Sequence, residues 1–185
     1  MTREARWVWS TTAAFLALWV AAYGGASALS AHVPWRIGVA LPGEEHLPLV
    51  RAASIPYLSL DLLLLALPLT LRRWSELAPV AGALAAQTLV AAAVFVALPV
   101  RTEPWLELPP TDPLFALADA MNLERNYLPS LHVSYALTAA SVLAGRAAGP
   151  ARAAYAAWGL MVAASTVLLR QHYLADVAAG AALAW

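Results

Sequence analysis

The sequence predicts an all-α fold: a polytopic membrane bundle of about six transmembrane helices with one short interfacial helix. Apolar residues make up 62% of the 185 positions and charged residues only 12%. Apolar runs with few charged residues, close to the length of about 20 residues that a helix needs to cross a bilayer, recur along the chain. No linker, low-complexity tract or internal repeat interrupts them, so we expect a single domain over residues 1–185.

Six apolar runs define the predicted spans. They cover residues 7–29, 54–71, 78–100, 130–145, 151–169 and a last run that begins near Tyr173. As a helix the last run would rise only about 20 Å, less than the hydrocarbon core of about 30 Å. We therefore expect the sixth helix to be truncated at Trp185, because the natural chain either continues or was trimmed.

A shorter apolar pattern follows several prolines between the third and fourth spans. Its apolar positions are Leu114, Phe115, Leu117, Ala118 and Met121. This spacing predicts a short helix at the membrane surface. The helix would act as a lipid guide or lid, or it would only pack against the bundle.

Arginine placement predicts the orientation. With a cytoplasmic N-terminus, the inner segments carry Arg3, Arg6, Arg72, Arg73, Arg146 and Arg152. The opposite side carries Arg36, Arg51, Arg101, Arg125 and Arg170. The short inner loops also hold few acidic residues, so the positive-inside rule favours this orientation. We expect an integral protein of a bacterial plasma membrane with its N-terminus in the cytoplasm.

The composition excludes several classes of function. The chain has no cysteine, which removes disulfide and thiolate chemistry. The net charge is zero, and no basic stretch resembles a nucleic-acid footprint. The expected partners are therefore lipids of the bilayer and not nucleic acid. The sequence leaves the oligomeric state open.

Ionisable residues from three regions of the chain converge on one side of the predicted membrane. His132 lies near the outer end of the fourth span, and the fifth span returns outward to Arg170, His172 and Asp176. Arg101 ends the third span on the same side. Because ionisable groups at a membrane boundary are costly, they are candidates for function. This clustering predicts a site on the extracytoplasmic side.

His172 and Asp176 have the spacing of a catalytic pair. Four residues apart, they stack on one face of a helix. A carboxylate there can fix the imidazole tautomer and leave the other ring nitrogen free as a nucleophile. A structural ion pair and a metal site that includes His132 are the alternatives. We expect no metal, because Arg101 and Arg170 would repel a cation.

The surroundings of His132 suit a phosphate. Ser130 is the predicted N-cap of the helix in whose first turn His132 lies. The unpaired amides of that turn form a natural anion site. Arg101 and Arg170 can add forked, charge-assisted contacts to phosphate oxygens. Ser130, Arg101 and Arg170 are therefore the predicted phosphate-binding residues.

Two motifs at these residues resemble those of the type 2 phosphatidic acid phosphatase superfamily, which shares its active site with vanadium haloperoxidases. The family's second motif, Pro-Ser-x-His, reads Pro-Ser-Leu-His at residues 129–132. Its third motif is Ser-Arg, five residues, His, three residues, Asp. The counterpart is Ser165-Thr166 followed at matching spacing by His172 and Asp176.

The sequence departs from the family pattern at two points. Thr166 stands at the usual arginine of the third motif, and Arg170 lies two residues before His172. The first motif, Lys, six residues, Arg-Pro, is replaced by LPVRTEPW at residues 98–105. In these features the sequence looks most like the inositolphosphotransferase and sphingolipid-synthase branch.

The resemblance implies a metal-independent lipid phosphate phosphatase or phosphotransferase, a hydrolase or transferase of lipid metabolism. His172 would attack phosphorus to give a phosphohistidine, and Asp176 would hold the imidazole. His132 would protonate the departing oxygen and then activate water or an alcohol. The expected substrate is a lipid phosphate, and no metal or organic cofactor is required.

A non-enzymatic membrane protein such as a transporter is the alternative. It would use Asp61, inside the second span, with the outer cluster of His, Asp and Arg residues, since an intramembrane carboxylate marks some ion paths. A packing role, in which Asp61 bonds to a neighbouring hydroxyl or to Gln87, fits the sequence equally well. Broken helices and duplicated halves, which many transporters have, are not evident.

Overall fold

A computed structural model describes residues 2–107, 112–121 and 126–185. Over these ranges the secondary structure is helical and contains no β-strand, which confirms the all-α class. The helices are α1 (Arg3–Ala31), α2 (Ser54–Leu58), α3 (Leu60–Thr70), α4 (Trp74–Ala97), α5 (Pro113–Met121), α6 (Leu131–Arg146), α7 (Pro150–Leu168) and α8 (Leu174–Leu183). Arg125 and the side chain of Met121, which two of the predictions used, lie outside the described residues.

Four helical segments are long and apolar enough to cross a membrane. These are Arg3–Ala31, Arg51–Thr70, Trp74–Ala97 and Pro150–Leu168. The six apolar runs of the sequence all become helices, but α6 has 16 residues and α8 has 10. The described part of the chain therefore supports an integral membrane protein, and the count of six spans stays a prediction.

Helix α6 is the centre of the bundle. It packs against α7, α3, α8 and α4, and its residues Tyr135, Ala136, Ala139 and Leu143 belong to the main hydrophobic core. Small residues allow α6 and α7 to approach closely. A Cβ atom at Gly159 of α7 would lie 2.6 Å from the Cβ atom of Ala140, which is closer than two such carbons can approach.

Contacts between helix ends define two layers. In one layer the Trp74 amide donates to Oε2 of Glu4 at 2.9 Å, and Arg146 donates to Oε1 of Glu76 at 3.0 Å. The other layer contains the ends of α1, α4 and α7 and the starts of α6 and α8. We call it the histidine end, because His132 and His172 lie in it.

Apolar side chains face outward along the spans. Leu16, Val20, Leu62, Leu65, Leu69, Leu89, Val90, Leu160 and Met161 are all exposed. Such a surface is unfavourable in water and suits the hydrocarbon of a bilayer. The exposed surface of the helices thus agrees with the membrane class that their lengths indicate.

The predicted short helix after the proline-rich segment is present as α5. Asp112 begins it by accepting a hydrogen bond from the Phe115 amide at 2.9 Å. Phe115 and Ala118 are buried against Tyr57 of α2, whereas Leu117 is exposed. One face therefore packs on the bundle at the histidine end, and a position at the membrane surface stays a prediction.

Candidate active site

The two histidines that the sequence brings to one side lie in one cavity. The ring centroids of His132 and His172 are 6.4 Å apart, with the ring planes tilted by 51°. The cavity has a volume of about 120 Å³ and lies among α1, α3 and α6 and the turn before α8. Residues 40 positions apart in the sequence thus share one small chamber at the histidine end.

His172 is held by the turn between α7 and α8. Its backbone amide donates to the carbonyl of Thr166 at 3.2 Å. Its Nδ1 atom lies 3.4 Å from Oδ2 of Asp176, and both side chains are buried. The same Oδ2 accepts a hydrogen bond from the Tyr173 amide at 2.9 Å, which caps the start of α8. Asp176 therefore positions both the helix and the imidazole, and it leaves Nε2 of His172 on the far side of the ring.

His132 is fixed by stacking. The Tyr57 ring lies parallel to it, with centroids 4.1 Å apart and planes 17° apart. Tyr57 is fully buried, so the imidazole stacks on a rigid wall, and the centroid of the His172 ring lies 6.4 Å away. Within the described ranges, no residue makes a hydrogen bond to the His132 ring nitrogens. They are available to a ligand in the cavity.

The start of α6 has the features of an anion site. The Ser130 hydroxyl accepts a hydrogen bond from the Val133 amide at 3.3 Å, as the predicted N-cap should. The Ser130 amide donates to the backbone carbonyl of Asp176 at 3.0 Å. The amides of Leu131 and His132 have no acceptor within their own helix, because the first turn of a helix lacks preceding carbonyls. They carry the partial positive charge that favours an anion.

At the start of α8, in contrast, carboxylates of the protein already offset the positive end of the helix dipole. Oε1 of Glu44 accepts a hydrogen bond from the Leu174 amide, and Oε2 accepts one from the Leu41 amide at 2.8 Å. Glu44 is 3% exposed. Together with Asp176 it places two carboxylates at this helix start, so a phosphate is better received at α6. Sequence reasoning assigned no role to Glu44, because the contact joins residues 130 positions apart.

Arg170 is directed away from the cavity. Its backbone has a φ of +56°, and its guanidinium donates to the carbonyls of Trp105, Glu45 and Leu47 at 3.3, 3.2 and 3.0 Å. The guanidinium carbon also lies 5.8 Å from the centre of the Trp105 ring. These contacts hold two loops against the α7–α8 turn, and the phosphate-binding role of Arg170 stays a prediction.

Arg101 is less constrained. Its side chain is 61% exposed and forms an ion pair with Glu103 at 3.5 Å. Its backbone carbonyl accepts a hydrogen bond from the Tyr173 hydroxyl at 2.9 Å, so the residue begins next to the histidine turn. Neither Arg101 nor Arg170 lines the cavity. The phosphate-binding role of Arg101 therefore stays a prediction.

The Tyr173 hydroxyl joins two segments of the histidine end. It donates to the Arg101 carbonyl and accepts from the Glu103 amide, both at 2.9 Å. Burial raises the pKa of this hydroxyl above its ordinary value.

Thr166, at the arginine position of the third motif, is buried and donates to the Ala163 carbonyl at 2.8 Å. It therefore supports the turn through its backbone and supplies no cation.

Sequence reasoning also missed two residues at the histidine cavity, the aromatic Tyr57 and the polar Asn126. Tyr57 left no local signal, because it meets His132 only through the packing of α2 on the bundle. Asn126 begins the segment that contains the second motif, and it lines the cavity. Its side-chain amide donates to the Tyr23 carbonyl at 2.9 Å, which ties the motif to α1.

Among the described residues, no group of three or more His, Asp or Glu side chains is arranged to hold a metal ion.

The cavity of the histidines continues into a second one, deeper in the bundle. The second has a volume of about 320 Å³ and lies between α1, α3 and the start of α4. Both cavities are lined by Phe15, Leu16, Asp61 and Leu64. We call the two together the α1–α3 groove. The groove connects the histidines with a largely apolar space.

A family model supports the same part of the chain. The model of the PAP2 superfamily matches residues 76–185, which include α4 without its first two residues, α5 to α8, both cavity histidines and Asp176. The chain is therefore a helical membrane protein of a phosphatase family: it belongs to the PAP2 superfamily, whose members are generally phosphatases. No curated protein and no solved structure matches the chain.

Proposed function

We propose that this protein is an integral membrane enzyme that cleaves a lipid phosphate ester and transfers the phosphoryl group to water or to an alcohol. Membership of the PAP2 superfamily supports phosphoester chemistry. The observation that carries the proposal is the pairing of His132 and His172 across one cavity, with Asp176 behind His172.

In the first step Nε2 of His172 attacks phosphorus. The N–P bond forms while the bond from phosphorus to the lipid oxygen breaks. Asp176 accepts the Nδ1 proton in a hydrogen bond, which keeps the Nε2 lone pair free and stabilises the positive charge that develops on the ring. His132, protonated, donates its proton to the departing oxygen, so that the lipid leaves as a neutral alcohol.

The second step reverses these roles. Water or an alcohol enters the position of the departed lipid, and His132, now neutral, accepts its proton. The oxygen attacks phosphorus, the N–P bond breaks, and His172 regains its lone pair. Phosphate is the product with water, and a new phosphate ester is the product with an alcohol. The protein groups are the same in both cases.

The negative charge of the phosphoryl group is met by the start of α6. The free amides of Leu131 and His132 and the end of the helix dipole face that position, with Ser130 as the cap that orients the turn. In the proposal Arg101 rotates from its exposed ion pair to bind a phosphate oxygen. Arg170 can bind phosphate only if its guanidinium breaks its hydrogen bonds to the loop carbonyls.

A lipid substrate is supported by the surroundings of the cavity. The α1–α3 groove is largely apolar and adjoins the histidines, so a headgroup can react while its chain remains among apolar side chains. The arginines of the opposite end support placement of the histidine end outside the cytoplasm. The reduced first motif supports a position near the inositolphosphotransferase branch.

Phosphate release by the purified protein in detergent tests the proposal. Phosphatidic acid, lysophosphatidic acid and the water-soluble ester p-nitrophenyl phosphate serve as substrates, with glycerol added as an alternative acceptor. Wild type should turn over at least one ester, with inhibition by vanadate and no loss on chelation of divalent metals. His172→Ala should abolish turnover, and His132→Ala should lower kcat by about 10²–10⁴.

His32→Ala is the matched control, because His32 is an exposed histidine at the end of α1. It should keep wild-type turnover. Loss of activity on chelation would contradict the metal-free mechanism. Turnover by His172→Ala at the wild-type rate would contradict the nucleophile.

A further inference from the structure

We infer that the α1–α3 groove binds the lipid chain and that Asp61 accepts a hydrogen bond from a hydroxyl or amide N–H group on the lipid backbone close to the phosphate. This inference rests on the proposed function and names the class of substrate for that site. It assigns a binding role to a carboxylate that the two-histidine mechanism does not use.

The position of Asp61 in the groove is the first support. Asp61 lies on the wall shared by the two cavities, so it faces both the histidine chamber and the deeper space. In the deeper cavity it is the one charged side chain among the described residues that form the wall. Thr12, the other polar residue there, has its hydroxyl bonded to the Val8 carbonyl at 3.0 Å. Thr12 therefore has no free donor, and Asp61 is the charged acceptor in this wall.

The lack of a protein partner is the second support. No described residue gives Asp61 a hydrogen bond or an ion pair. Gln87, a candidate partner by sequence, donates instead to the hydroxyl of Thr138 at 2.8 Å. Asp61 is exposed on the open groove and not enclosed in the bundle. An ionisable residue inside a span is costly, and such residues usually face a cavity or a pathway and mark a function. A packing role for Asp61 would require a partner on a neighbouring helix.

The depth of Asp61 defines what it can touch. It follows Tyr57 by four residues, and Tyr57 stacks on His132. Four residues of helix rise about 6 Å, so Asp61 lies one turn below the level of the histidines, toward the hydrocarbon. A phosphate between His132 and His172 would bring the first few backbone atoms of its lipid to this level. The chain would continue along Leu64 into the deeper cavity.

The chemistry of the acceptor then selects the lipid. A carboxylate accepts hydrogen bonds from hydroxyl and amide N–H groups, whereas an ester carbonyl and an ether oxygen offer no donor. A hydrogen bond to a charged group contributes more than one between neutral groups. A site with a fixed polar partner also rejects analogues that leave this partner unpaired. Lipid phosphates with a donor near the ester should therefore be preferred.

Two pairs of probes test this preference, and each pair differs in one donor. N-oleoyl ethanolamine phosphate has an amide N–H group, and oleoyl ethylene glycol phosphate has an ester oxygen in its place. Lysophosphatidic acid has a free hydroxyl, and its 2-methoxy ether does not. The first pair reports an amide donor and the second a hydroxyl donor. In at least one pair, wild type should have a kcat/KM about tenfold to a hundredfold higher for the donor-bearing probe, mainly through KM.

Asp61→Ala should reduce the ratio within that pair to about one, and Asp61→Asn should leave an intermediate ratio. Leu62→Ala is the control, because Leu62 is exposed on the same helix and lines neither cavity. It should keep the wild-type ratio. Size-exclusion profiles of the four proteins show whether each variant is folded.

The failures are distinguishable. If wild type turns over neither the lipids nor p-nitrophenyl phosphate, the proposed function fails and this inference fails with it. If wild type is active but treats both members of both pairs equally, only the inference is wrong. It is also wrong if the preference persists in Asp61→Ala. If Leu64→Trp, which fills the groove, leaves KM for the lipids unchanged, the groove does not hold the chain.

Discussion

Gly180 lies directly against the backbone carbonyl of Ser130. A Cβ atom at position 180 would be 2.4 Å from that oxygen and 3.1 Å from the Cβ atom of Val133. The contact presses α8, which carries Asp176, onto the first turn of α6, which carries His132. The distance between Asp176 and His132 therefore depends on having glycine at position 180.

Gly180→Ala should move α8 away from α6 and lower both stability and activity. Inserting a methyl group into a packed contact costs about 1–3 kcal/mol of unfolding free energy. Thermal unfolding and turnover of the soluble ester measure the two effects.

Gly145→Ala is the control, since a Cβ atom there meets nothing within 4 Å. Gly159→Ala, which clashes with α6 away from the site, should lower stability with a smaller effect on kcat. Equal loss of kcat in both clashing variants would contradict a specific role for the Gly180 contact.

Glu44 should support catalysis through the start of α8. Glu44→Ala leaves the Leu174 amide without its buried acceptor, which costs about 1–3 kcal/mol of stability. Because Asp176 lies in the same turn of α8, kcat should fall while KM for a soluble ester changes little. Glu45→Ala is the matched neighbour, since the Glu45 side chain is exposed and forms an ion pair with His46 at 3.6 Å. Wild-type stability and kcat in Glu44→Ala would show that the cap is not needed.

The two arginines should respond differently to substitution. Arg170→Gln removes bonds to three carbonyls and should lower the free energy of unfolding by about 1–3 kcal/mol. Arg101→Gln removes an exposed side chain and should change stability by no more than about 0.5 kcal/mol. If Arg101 binds phosphate, its loss should lower kcat by about 10²–10³. Denaturant titration and turnover separate the two cases, and unchanged kcat in Arg101→Gln would remove Arg101 from the site.

The fold and part of the site follow from local patterns in the sequence. Apolar runs mark the helices, since burial in a bilayer needs long uncharged segments. The N-cap at Ser130 depends only on helix geometry, and the structure has that contact. His172 and Asp176 are also in contact, but His172 lies in the turn before α8, so the two side chains do not stack along one helix as the spacing predicts.

The remaining features depend on packing between distant segments. Tyr57 meets His132, and Glu44 meets Leu174, only because separate helices and loops come together. Arg170 illustrates the limit of sequence proximity. It lies two residues from His172, but its positive φ and the nearby loop carbonyls turn the guanidinium elsewhere. No period or spacing in the sequence encodes that direction.

The covalent intermediate is the most direct test of the account. Wild type is mixed with a substrate that carries ³²P in its phosphoryl group, quenched in alkali within the first turnovers, and digested for peptide mapping. Phosphohistidine is stable in alkali and labile in acid, so the label should be found on the peptide that contains His172. It should be absent from His172→Ala and present in His32→Ala. Label on another residue, or substrate turnover by wild type with no labelled protein at any quench time, would contradict the mechanism.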